Sequence, residues 1–343
     1  MNITIRDVAK KAEVSASTVS RVLSNANTSI PISEETRKKV LDVCEELKFQ
    51  PNIHARRFFT NKSETIGLII PPKTKLKGTE HTFADHNIAE MLSGSEATIT
   101  ANGYRLTILV ADDDFIDKKK YLHLINDKSL DGLLFWGLTV DESYILDIQK
   151  ESFPYILLNS YVKGHRVNSV IADNERASFD LAEHMIGQKH RLAYIKGMQN
   201  CSVDIDRYKG FKAAMRKHDV KIHNELIETG DFSEESGYQA MKSLLSLKSC
   251  FTAVIAANDM MAIGAMKAIK EKGLKIPGDI AVAGGDGIPL AEYMEPPLTT
   301  FKVPTYEIGV TGVNKLFEII QHGQKEPVLE VLRTELIVRE SSG

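Results

Sequence analysis

The chain has 343 residues, of which 43% are apolar, and a formal net charge of −3. That length supports two or three compact units, each with its own core. No apolar run reaches the 18 or more residues of a membrane span, and the first residues lack the apolar segment of a secretory signal, so a globular cytoplasmic protein is expected. Cys44, Cys201 and Cys250 are far apart and lack CxxC spacing, which predicts buried thiols and no metal or redox chemistry. Charge is unevenly spread: residues 1–62 carry eleven Lys+Arg against seven Asp+Glu, and the rest carry 32 against 39. A basic head on an acidic body fits either a polyanion partner or an ordinary solvated surface.

Taken in chain order, "TIRDVAKKAEV" places Ile5, Val8, Ala9 and Ala12 on one helical face, with Thr4 and Asp7 spaced as a capping box. Ser15 is a second N-cap, after which Ala16, Val19 and Leu23 share a face and Ser15, Ser17, Thr18, Ser20 and Arg21 stay on or beside the outward side. Two short helices joined by about three residues form a helix-turn-helix, whose second helix enters the major groove of DNA. Small hydroxyl residues allow close approach, and an arginine reaches guanine or phosphate. A third helix starts at Ser33, sets Glu34 and Glu35 at its positive end and buries Val40, Val43, Cys44 and Leu47. Next comes "PNIHARRFFTNK", composed like a linker yet carrying two arginines and two phenylalanines.

From Glu64 onward, apolar β-rich runs alternate with helix-length amphipathic stretches. Strands are predicted at 65–70, 104–110, 131–137, 154–159, 169–173, 191–197, 225–230, 251–257, 279–285 and 298–303, with a last pair around Val328 and Leu336. Continuous apolar character with helical crossovers indicates parallel strands covered on both faces, in two doubly wound sheets. Ligands in such sheets bind beyond the carboxyl ends of the strands, and those positions are polar: Asn159, Asp173, Asn174, Asn258, Asp259 and Asp286 among them. Signals for catalysis fail. "GGDG" near 284 lacks a dinucleotide fingerprint, Asp112 to Asp114 read as a helix N-terminal cluster, and neither HExxH nor GxSxG occurs. No catalytic residue, metal or cofactor is expected.

"TIRDVAKKAEVSASTVSRVLSN" and "SEETRKKVLDVCEELKFQPN" together resemble the head of LacI/GalR transcription regulators. "VNSVIADN", "RYKGFKAAM", "GDFSEESGYQAM", "AANDMMAIGAMKAIKEKGLKIPGDIAVAGGD" and "EPPLTTFKVPTYEIG" resemble its effector domain, so the likeness covers nearly the whole chain. It implies a small all-α helix-turn-helix head over 1–49, a hinge helix and linker over 50–63, and a periplasmic-binding-protein-like type I effector domain over 64–343. Two doubly wound subdomains are implied there, 64–160 with 289–320 and 161–288 with 321–343. On the DNA side it implies roles for Thr4, Ser15, Ala16, Ser17, Thr18, Ser20 and Arg21, and for Asn52, Ala55, Arg56 and Phe58 of the hinge. Phe58 stands where the family has a minor-groove leucine, and His54 where it has a small aliphatic. On the effector side it implies Asn159, Arg207, Phe232, Asn258 and Asp286. Alternatives stay open for three of these: Arg207 pairing with Asp204 or Asp206, Asn258 capping a helix, and Phe232 as core. Trp136, at a strand end, either lines the pocket or packs.

Three departures from the family pattern stand out. "SNANTSIPIS" is about three residues longer than the usual connection, and the segment before Phe83 is longer and more basic. Gly285 stands where an aromatic is usual, which predicts a thinner wall beside Asp286. The function implied is a homodimeric repressor of a carbohydrate-utilisation operon that binds pseudo-palindromic operator DNA and a small sugar-type effector, without a membrane. A global catabolite regulator using a phosphoprotein corepressor, and a sugar-binding module without DNA function, remain the alternatives.

Overall fold

A computed structural model describes residues 3–24, 32–49, 62–72, 85–188, 190–247, 251–324 and 326–343. The chain divides into two compact units, residues 1–64 with 124–131, and residues 65–123 with 132–343.

The first unit holds α1 (Ile5–Ala12), α2 (Ala16–Ser24) and α3 (Glu34–Glu46). Val8, Ala9, Ala12, Val19, Val22, Val40, Val43 and Cys44 close its core, with Ile5, Ala16, Leu23 and Leu47 packed around them. Val22 is a member that the helical spacing did not single out. The Thr4 N–H donates to the Asp7 carboxylate at 2.8 Å, and Thr36 N–H to Ser33 Oγ at 3.2 Å, so α1 and α3 begin where their capping residues predict. Glu13 supplies the left-handed turn between α1 and α2. Asp131 accepts from the Ser63 and Glu64 N–H groups at 2.7 and 2.9 Å, which ties down the backbone just ahead of the first strand.

The rest of the chain runs β1 (Thr65–Ile70), α4 (His86–Ala101), β2 (Arg105–Val110), α5 (Asp113–Asp117), α6 (Lys120–Asn126), β3 (Gly132–Trp136), α7 (Tyr144–Lys150), β4 (Tyr155–Leu158) and β5 (Ser169–Ala172). It continues as α8 (Asn174–Gly187), β6 (Leu192–Lys196), α9 (Ser202–Lys217), β7 (Ile227–Thr229), α10 (Glu234–Ser246), β8 (Ala253–Ala256), α11 (Asp259–Glu271) and β9 (Ala281–Ala283). β10 (Thr300–Lys302), α12 (Thr305–His322), β11 (Leu329–Leu332) and β12 (Glu335–Ile337) complete it. One sheet has the order β11-β5-β4-β3-β1-β2 and another β7-β6-β8-β9, all parallel, while β10 and β12 pair antiparallel. In each large sheet the chain reverses its direction of winding beside the first strand it lays down, which opens a crevice at the carboxyl ends.

Two expectations are corrected here. Strand pairing puts β5 and β11 in the first sheet, whereas the resemblance implies 161–288 and 321–343 in the second subdomain. Parallel pairing of β5 with β4 and β11 holds the chain in the first sheet until Ala172, so it crosses over near Asp173, again before α12 and again between β11 and β12. Coverage on both faces is also incomplete. The edge strands β2 and β11 leave Ile108, Val110, Leu329 and Val331 exposed, whereas β8 and β9 are buried throughout.

Candidate functional site

Thr4, Ser15 and Ser17 are exposed on the head, and Ala16, Thr18, Ser20 and Arg21 are half-buried. Ser15 caps α2: its Oγ accepts from the Thr18 N–H at 3.0 Å and lies 2.7 Å from Ser17 Oγ and 2.8 Å from Thr18 Oγ1. Three hydroxyls thus share one cluster at the start of the second helix. A hydroxyl both donates and accepts, so the same groups can re-partner with phosphates or base edges. The Thr4 hydroxyl donates to Asp7 at 2.7 Å, and these bonds hold the Asp7 carboxyl below its usual range. Ala16 packs on the head core. Asn52, Ala55, Arg56 and Phe58, with His54, lie outside the described residues, as does most of the extra basic segment before Phe83.

In the body, a cavity of about 160 Å³ opens at the carboxyl ends of both sheets. All five residues named from the sequence line it: Asn159, Arg207, Phe232, Asn258 and Asp286 come together from the ends of β4, β7, β8 and β9 and from the second turn of α9. Trp136, at the end of β3, lines it as well.

Arg207 is only 2% exposed. Its Nη2 donates to Asp286 Oδ1 at 2.7 Å, its Nη1 to the Ala257 carbonyl at 2.6 Å and its Nε to Asn174 Oδ1 at 2.9 Å. The alternative pairings with Asp204 and Asp206 are not the ones formed: Asp204 accepts from the Gly197 N–H, and Asp206 from the Tyr161 hydroxyl at 2.9 Å. Asn258 does cap α11, accepting from the Met261 N–H at 3.0 Å, and its amide also donates to the Phe232 carbonyl at 3.0 Å. That second bond holds Phe232 at φ +71°, a costly backbone state for a bulky residue. Asn159 at +50° and Asp286 at +123° share the left-handed half of conformational space.

Sequence reasoning passed over several neighbours. Asn87, in the first turn of α4, donates to Asp286 Oδ2 at 3.0 Å and joins the two subdomains across the cleft. A second crossing links Val140 N–H to the Asn200 carbonyl at 2.9 Å. Burial pushes the Asp85 carboxyl up, opposed by its cap to Ile88 and reinforced by the charge on Asp286. Asp259 is fully buried and pushed up to about 7, by burial first and by Asp286 second. It accepts from Ile288 N–H at 2.9 Å and Thr300 Oγ1 at 2.6 Å, which clamps the loop carrying Asp286. The sequence ahead of Asp85 and Asn87, "KTKLKGTEHTF", has no apolar β-rich run, so no strand-end signal marks them. Cys201, expected to be a buried thiol, stands at the N-cap position of α9 without a side-chain capping bond and lines the cavity; the residue as a whole is half-buried, and burial pushes its thiol up.

The expectation of a thinner wall at Gly285 is overturned. The space in front of it is filled by Phe301 of β10, whose ring centroid lies 4.8 Å from the Arg207 guanidinium carbon.

Residues 4–52 match the family described as Bacterial regulatory proteins, lacI family, and residues 182–342 match the Periplasmic binding protein-like domain. The chain is 34% identical over 341 residues to the probable HTH-type transcriptional repressor ExuR of Bacillus subtilis (strain 168), covering 99% of this chain and 98% of that protein. It is 32% identical over 340 residues to the HTH-type transcriptional repressor CytR of Escherichia coli (strain K12), covering 99% and 96%. Among solved structures, the lac repressor dimer bound to operator and the anti-inducer ONPF has a TM-score of 0.83 at 26% identity, covering 100% of this chain and 99% of that one. The transcriptional regulator CelR-cellobiose complex has a TM-score of 0.74 at 28% identity, with 99% of both chains covered. A helix-turn-helix head on a two-sheet body with its cavity at the strand ends, and likeness along the full length to repressors of this build, together mean that the chain belongs to the lacI family of bacterial regulatory proteins.

Proposed function

We propose that this chain is a transcriptional repressor of a carbohydrate-utilisation operon, binding pseudo-palindromic operator DNA as a homodimer and responding to a small sugar-type effector in the cleft. The observation that carries this reading is the meeting of Asn159, Arg207, Phe232, Asn258 and Asp286 on one cavity, in a chain that begins with a helix-turn-helix. Sugar hydroxyls suit such a site, because a carboxylate accepts from two of them and a guanidinium donates in a fixed fork. Two heads held together read two half-sites, and their linkage raises affinity through effective concentration. The exposed Ile108 and Val110 of β2 give a second copy apolar surface to cover. Among the described residues no helix is long and apolar enough to cross a membrane, and we assign the protein to the cytoplasm, where its DNA is. Regulation is the use assigned to the cleft, since its polar groups are tied to one another and to backbone.

The test is fluorescence anisotropy with a duplex recovered by in vitro selection, titrated with cellobiose and a panel of mono- and disaccharides. One sugar is expected to change operator affinity roughly five- to 150-fold. Failure of the chain to prefer any duplex over random DNA would overturn the repressor reading.

A further inference from the structure

Phe301 is 2% exposed, and the Arg207 guanidinium lies over its ring at 4.8 Å. On the ring's outer edge sits Gly285, where an added methyl group would stand 2.4 Å from ring Cζ and 2.7 Å from Cε1. Gly285 does not have the positive φ that would itself call for glycine, so the ring is what excludes a side chain there. Arg207 is held along its edges by Asn174, the Ala257 carbonyl and Asp286, which use three of its five N–H donors. Bonds along the edges leave the faces of a planar group unsupported, and Phe301 supplies one of those faces.

We propose that Phe301 is the positioning residue of the cleft. Its ring fixes the plane in which Arg207 presents its two remaining N–H donors, and glycine at 285 is what admits the ring. An effector's acceptor oxygens are then read against a rigid plane rather than a swivelling fork. The consequence for the effector rests on reading the cleft as a sugar site; the consequence for Arg207 does not.

A double-mutant cycle on urea unfolding of the full chain separates the two. Phe301→Leu keeps an apolar plug without a π-face, and Arg207→Lys keeps the charge without the planar fork. The two are expected to be coupled by roughly five- to thirtyfold in the unfolding constant. Additivity within about twofold would make Phe301 ordinary core and overturn the proposal. Isothermal titration with cellobiose supplies the second measurement. Phe301→Leu and Gly285→Ala should each weaken binding roughly tenfold, and Gly285→Ala should cost little more in the Phe301→Leu background, because leucine does not reach the Cζ position. Undiminished cellobiose affinity in Phe301→Leu would overturn the positioning role. A wild-type chain that binds neither cellobiose nor any other sugar of the panel would break the reading of the cleft instead, and the unfolding cycle alone would then decide the role of Phe301.

Discussion

The hydrogen bonds among Thr4, Asp7, Ser15, Ser17 and Thr18 of the head span two or three residues, whereas Arg207 in the cleft reaches partners 33, 50 and 79 residues away. The hydroxyl cluster at the start of α2 is therefore set by local chemistry, and a change there stays local, although the head also has the longer-range surface pairs Lys11–Glu46 and Lys39–Glu13. The cleft exists only when both sheets are in place, so a change to its buried groups strikes the fold and the ligand site together.

The largest test of that contrast is Arg207→Ala. It leaves Asp286 buried beside Asp259 without its cation, and should cost about 3–5 kcal/mol of body stability as well as the effector response. Urea unfolding followed at body residues measures it. A loss below about 1 kcal/mol would mean that the pair behaves like an exposed one.

A second test uses pH. The folded value for Asp259, about 7, lies above the ordinary aspartate value of 3.8, so the folded chain binds a proton that the unfolded chain releases. Stability from this group is complete below the unfolded value and is lost as pH rises through the folded one. The unfolding free energy should fall between pH 5 and 7 with a slope on the order of 1 kcal/mol per pH unit. Asp259→Asn should flatten that slope, and equal slopes in the two chains would remove Asp259 as its source.

The smallest effect belongs to the head. Ser15→Ala should cost about 1 kcal/mol of protection for α2 amides in hydrogen exchange, with the amides of the two sheets unchanged. Ser15→Asp keeps the cap and should restore protection while weakening operator binding, because it adds negative charge facing phosphates. Spread of either effect into the sheets would erase the contrast between the regions.

Much of the fold was legible in the sequence. β1 to β10 each fall within a run read from the sequence, and β11 and β12 lie beside Val328 and around Leu336; covered strands such as β8 and β9 are apolar along their length, whereas the half-exposed edges β2 and β11 are not buried that way. Ser15 was legible as a cap because capping is read over three residues. The crossovers were not: nothing in "VNSVIADN" says that its strand pairs with β4 and with β11 before the chain leaves for the other sheet. Nor was Phe301, since a phenylalanine in an apolar run carries no mark of the arginine it will meet, nor Asn87, whose partner lies 199 residues away. Gly285 was noticed as unusual, but its meaning depended on a residue in another strand.

The left-handed backbone at Asn159, Phe232 and Asp286 bears on how such a cleft can change its specificity over time. Positions 159 and 286 tolerate chiefly Asn, Asp or Gly, so drift there is confined to a few chemistries. Trp136, Met198 and Met260 line the same cavity without a positive φ and are free to vary in size. A lineage moving from one effector to another would accumulate its changes at those three side chains, and a library built to retune the protein should spend its diversity there.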